Sequence, residues 1–73
     1  MRTTWIFRSQ QLKSLRELSG LSPSAFGKRI GRSSFSVLSW EKGTTYPTAR
    51  DLVKIAEAFD TNPHAFFKKN GMP

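Results

Sequence analysis

Apolar residues recur along this chain at spacings of three and four, and the runs are cut by glycine and proline. Leu12, Leu15 and Leu18 form one set, Phe26 and Ile30 a second, Val37 and Trp40 a third, and Leu52, Ile55, Ala56 and Phe59 a fourth. Residues three or four apart share one face of a helix, so each set predicts a helix with one buried side. The first begins near Ser9 and ends at Gly20. Ser22 followed by Pro23 starts the second, because a serine oxygen can accept an orphan amide and proline at the first helical position has no amide to lose. Gly31, able to take the positive φ of a helix end, stops it. Ser33 or Ser34 caps the third helix, which closes at Gly43. In the loop that follows, Pro47 blocks helix continuation and Thr48 caps a fourth helix, with Asp51 near its start favoured by the helix dipole. Asn62-Pro63 repeats the signal and opens a last short helix through Ala65, Phe66 and Phe67. The pattern predicts an all-α fold, a compact bundle of about five short helices.

Residues 1–8 read differently. Thr3, Thr4, Trp5, Ile6 and Phe7 are β-branched or aromatic and favour an extended arm. Bulky apolar side chains in a row do not hang free in water. They cover the helical core, pair with a second subunit, or belong to an arm that reaches a polyanion through Arg2 and Arg8. The expected organisation is an arm over 1–8, a helical domain over 9–69 and a tail over 70–73.

Composition narrows the function. With 73 residues the chain is one small domain, near the size at which a single core barely suffices. It has no cysteine, which removes disulfides and thiolate metal sites. Its apolar runs fall short of the roughly 20 residues of a membrane span, and the start MRTTWIFRSQ lacks the apolar core and cleavage site of a secretory leader, so the cytoplasm is the expected compartment. Twelve Lys and Arg against five Asp and Glu give a net charge of +7, which suits a polyanionic partner. The cations are spread over several elements, unlike those of a membrane-surface helix. His64, the single histidine, lies at a helix start without a cluster of metal-ligating residues and reads as solvated. No cofactor or metal is expected, and a chain with so little room for a cleft is not expected to be an enzyme.

Helices of about two turns are unstable alone, so the second and third must pack on the rest of the chain. A helix, a tight glycine-containing turn and a second helix is the arrangement that sets a recognition helix in the DNA major groove. Leu15-Arg16, Leu21-Ser22, Gly31, the series Val37, Trp40, Glu41, Gly43, then Pro47 and the stripe Leu52, Ile55, Ala56, Phe59 form an ordered set. This set resembles the helix-turn-helix of the Cro and phage-repressor type, the Xre-like family of bacterial and phage regulators, over roughly Gln11 to Phe67. The resemblance implies a lambda-repressor-like DNA-binding domain with its helix-turn-helix unit over 22–41.

Around the third helix, read as Ser33 to Glu41, Val37 and Trp40 turn inward and leave Ser34, Phe35, Leu38 and Ser39 outside. The resemblance places the family's base-contacting positions on these same residues. Gln, Arg, Lys or Asn often stand there, whereas this chain offers serines, a phenylalanine and a leucine. Serine discriminates weakly between bases, and Phe35 and Leu38 suit thymine methyl groups, so readout is expected to lean on thymine contacts and DNA shape. Such an apolar pair also suits packing or a protein interface. Ser22, Ser24, Lys28, Arg29, Arg32, Lys42, Thr44 and Arg50 are the phosphate candidates, as cations or as residues near helix N-termini.

Two departures from the family pattern stand out. Pro23 replaces the frequent glutamine that braces phosphate and recognition helix together, and Gly27 replaces a small alanine at a cost of ~1 kcal/mol in helix propensity. The resemblance also implies that Arg16 and Glu41 form a buried structural ion pair. The function expected is sequence-specific double-stranded DNA binding by a transcriptional regulator, a repressor acting by operator occupancy as a nucleoid-associated homodimer. Trp5, Phe7, Phe66 and Phe67 are the dimer candidates. The alternative is a protein-binding module, such as an antitoxin or phage adaptor, that engages a protein partner.

Overall fold

Local capping signals locate the helices. A computed structural model describes residues 4–70, in the order β1 (Thr4–Phe7), α1 (Ser9–Leu18), α2 (Pro23–Ile30), α3 (Ser34–Lys42), α4 (Ala49–Ala58), a single 3-10 turn (Pro63–Phe66) and β2 (Phe67–Asn70). Thr48 and Asp51 form a reciprocal capping box: the Asp51 amide donates to Thr48 Oγ1 at 3.1 Å and the Thr48 amide to Asp51 Oδ2 at 3.0 Å. Among the described residues, no helix is long and apolar enough to cross a membrane.

The end of the chain departs from the expected fifth helix. Asn62 makes no side-chain cap, and the helix lasts one 3-10 turn before Phe67 turns extended at φ −128° and ψ 149°. Phe67–Asn70 then pairs antiparallel with β1, Trp5 opposite Lys69, Ile6 opposite Lys68 and Phe7 opposite Phe67. Four α-helices and a two-stranded ribbon therefore stand where about five helices were expected, and the fold remains predominantly helical.

The ribbon explains the aromatic arm. Side chains on a strand alternate between faces, so Trp5 and Phe7 share one side. Phe7 is buried, lying 6.4 Å from the Phe66 ring and 5.9 Å from that of Phe67. Together with Leu12, Phe26, Ile30, Val37, Trp40, Ile55, Ala56 and Phe66 it makes the core. Phe7 and Phe66, both named as dimer candidates, are thus core residues and unavailable to a partner subunit. Trp5, 46% exposed, and the half-buried Phe67 keep accessible surface. Arg8 is exposed at the start of α1, while Arg2 lies outside the described residues.

A second correction concerns α1. Leu18 is 83% exposed, and the inward position one turn after Leu12 is taken by Arg16. A charged side chain is tolerated there because Glu41 on α3 meets it.

Candidate nucleic-acid interface

Serine and glycine set the geometry of α2 and α3. Ser22 Oγ accepts the Ala25 amide at 3.0 Å, and Ser33 Oγ accepts the Ser36 amide at 3.2 Å, so Ser33 is the cap of α3 and Ser34 its first residue. Gly31 ends α2 at φ 76°. The turn between them runs close to Gly27, whose carbonyl accepts the Arg32 amide at 2.8 Å. A Cβ on Gly27 would overlap the Arg32 carbonyl oxygen and stand 3.2 Å from the Ser33 carbonyl carbon. Glycine is therefore required by the turn, beyond the close helix crossing read from the sequence.

On α3, Val37, Ser39, Trp40 and Glu41 are buried. Phe35 is 76% exposed and Leu38 40% exposed. With exposed Lys42 these residues form one stripe, spaced three and four apart along the helix, and half-buried Ser34 flanks it.

Ser39 departs from its assignment as a base contact. It is only 8% exposed, although helical geometry puts it near the outer face. The chain after Gly43 folds back over this last turn: the Thr44 amide and Thr44 Oγ1 donate to the Ser39 carbonyl at 3.1 Å and 3.2 Å, and the Thr45 amide at 3.5 Å. Thr44, a phosphate candidate, is exposed, with its amide and hydroxyl engaged by the Ser39 carbonyl.

The other phosphate candidates divide by place. Ser22 and Ser24 are exposed at the start of α2, Lys28 on its flank, Lys42 at the end of α3 and Arg50 in the first turn of α4. Arg29 borders a groove with Lys54 and Glu57 of α4. On the other side, Gln10 and Lys13 of α1 line a groove with Leu38 and Lys42. These two are absent from the sequence-based candidates. Their spacing of three along the polar side of α1 was the available signal, but which side of α1 meets α3 is a tertiary fact.

Arg32 is held rather than free. Nη1 donates to Asp51 Oδ2 at 2.5 Å, Nη2 to Ser36 Oγ at 3.1 Å, and the guanidinium lies 5.1 Å from the Trp40 ring centre. Burial alone would push the Asp51 carboxyl up. The Thr48 amide, the Arg32 guanidinium and the Thr48 side chain outweigh that and hold it below the usual carboxylate value. Deeper in, Arg16 Nε donates to Glu41 Oε2 at 2.6 Å, Nη2 to Oε1 at 3.0 Å, and Nη1 to the Leu21 carbonyl at 2.8 Å. The bidentate Glu41 hydrogen bonds, opposed by burial, raise the Arg16 pKa further above its ordinary value. Arg16 and Glu41 thus clamp α1 to α3, and they line the same groove as Gln10, Lys13, Leu38 and Lys42. His64 is exposed, its ring edge-on to Trp5 at 5.3 Å.

The P22 c2 repressor protein, in complex with a synthetic operator, superposes with a TM-score of 0.79 at 21% identity, over 84% of this chain and 92% of that one. SinR, a master regulator for biofilm formation, in complex with DNA, gives 0.72 at 25% identity, over 80% of this chain and 94% of that one. Hydroxypropylphosphonic acid epoxidase from S. wedmorenis gives 0.72 at 26% identity, over 82% of this chain but 32% of its own. Comparison of the sequence with curated proteins yields no match. The family described as helix-turn-helix domain matches residues 9–66. With that match over most of the chain, and with α2, the Gly31 turn and α3 in place, this chain belongs to the helix-turn-helix domain family.

Proposed function

We propose that this chain is a DNA-binding regulator of transcription that represses by occupying an operator, with α3 in the major groove. The observation that carries the reading is the exposed stripe Phe35, Leu38, Lys42 on the second helix of a helix-turn-helix, in a chain of net charge +7. The DNA-bound P22 c2 repressor and SinR, similar in fold, support it. Ser34, Phe35 and Leu38 face the base edges. Ser22, Ser24, Lys28, Lys42 and Arg50, joined by Gln10 and Lys13, meet phosphates, where each neutralised charge releases counterions.

One recognition helix buries too little surface for tight specific binding. The active species in this reading is a homodimer on a two-fold symmetric site, with half-sites ~10 base pairs apart, and Trp5 and Phe67 at the subunit contact. It works in the cytoplasm, on the nucleoid, by occupancy and without catalysis.

The test is selection of bound duplexes from a random library by the purified chain, at two salt concentrations. A palindromic motif, with an affinity that falls steeply with salt, is the expected result. Lys42→Ala should then lower the salt slope by about 0.9 without changing the motif. Motif-free binding, or none, overturns the reading and redirects the search to a protein partner.

A further inference from the structure

We infer that the stripe on α3 reads the C5-methyl group of pyrimidines in the major groove, so that 5-methylcytosine can take the place of thymine in the operator. The inference rests on the DNA-binding reading above and specifies the chemistry it selects.

The exposed stripe is apolar over its first two positions. Phe35 and Leu38 project from α3 one turn apart, and between them there is no amide, guanidinium or carboxylate. Lys42 stands one turn further on, at the helix end, as a point charge suited to phosphate. Arg32, the one guanidinium at the entry to α3, is occupied by Asp51 and Ser36. Apart from Lys42 at its C-terminal end, the exposed face of this helix therefore offers no side chain for a bidentate hydrogen bond to guanine or adenine. In the major groove the apolar feature that distinguishes one natural base from the others is the thymine methyl. A phenylalanine and a leucine at contact distance gain by covering it, and each methyl so buried is worth about fourfold in the binding constant.

Ser34 determines why the methyl rather than the base is selected. Thymine presents an acceptor at O4 and cytosine a donor at N4. A hydroxyl is both donor and acceptor, so Ser34 satisfies either. Methylation of cytosine at C5 adds the same apolar group at the corresponding ring position. The helix thus carries a means of detecting the methyl and none of rejecting the amino group beside it.

The experiment uses the full chain and the duplex motif selected above. At each thymine of a half-site the base is replaced by deoxyuridine, and separately the T·A pair by C·G or by 5-methylcytosine·G. Affinity is read at constant salt. The expected result is a loss of about fourfold per deoxyuridine at one or two positions, and tighter binding of the 5-methylcytosine duplex than of its unmethylated C·G counterpart at those same positions. Phe35→Ala or Leu38→Ala should abolish the thymine–uracil difference at its own position and keep the salt slope. Both side chains are exposed, so the thermal melt of each variant should match the parent. A motif bound with equal affinity whether its thymines carry the methyl or not overturns the inference and leaves the DNA-binding reading standing. Absence of any motif overturns both.

Discussion

Arg32 Nη1 meets Asp51 Oδ2 at 2.5 Å, joining the turn between α2 and α3 to the capping box that starts α4. One carboxylate oxygen serves both purposes, since Oδ2 also accepts the Thr48 amide. The start of α3 and the start of α4 are thereby held together by one buried acid. Its removal disturbs two helix ends.

Acid should expose this link. The Asp51 carboxyl titrates lower in the folded than in the unfolded chain. The stability it contributes is whole above the unfolded value of ~3.9 and is lost as pH falls through the lowered folded value. Asp51→Asn should be less stable than the parent at neutral pH and show a shallower loss on acidification. Urea midpoints from neutral to strongly acid pH measure this, and parallel curves for the two proteins would count against the assignment. Arg32→Ala, which removes a side chain 38% exposed, should cost only about 0–1 kcal/mol.

Breaking the Arg16–Glu41 clamp from one side should be far more damaging. Arg16→Met leaves Glu41 buried without its partner, as Glu41→Leu does the converse, and each should cost about 3–5 kcal/mol. The double variant should recover much of that loss. Denaturant midpoints for the full cycle decide it: additive losses would mean that the two side chains are not coupled.

At Gly27 two effects oppose each other. Alanine gains ~1 kcal/mol of helix propensity, but its Cβ meets the Arg32 carbonyl, which is backbone and cannot swing aside. Overpacking of this kind costs about 1–3 kcal/mol. Gly27→Ala should therefore lower the melting temperature, and it should weaken DNA binding beyond the effect on folding because the displaced turn aims α3. A higher melting temperature would refute the close approach.

The two aromatic residues of β1 should behave oppositely. Phe7→Ala opens a cavity beside Phe66 and should cost about 3–5 kcal/mol. Trp5 has solvent on one side and rests on His64 and Lys69, so Trp5→Ala should cost about 1 kcal/mol or less. Thermal melts of the two variants are the measurement. Similar losses would argue that the arm packs as a unit.

Much of this protein is legible without its coordinates. Four helices, the serine cap at Ser22, a serine cap at Ser33 or Ser34, the glycine stops at Gly31 and Gly43, and the outward placement of Phe35 and Leu38 all follow from residues within one or two turns of each other. Capping and helical periodicity are local, so the sequence alone determines them. The tertiary structure decided everything that depends on what arrives from elsewhere in the chain. Phe67–Asn70 became a strand because Thr4–Phe7 is there to pair with it, and Phe7 and Phe66 became core for the same reason. Arg32 lost its freedom to an acid nineteen positions away. Distant contacts such as these offset the entropy of closing a loop only when both partners are in place, and no local pattern records that they will meet.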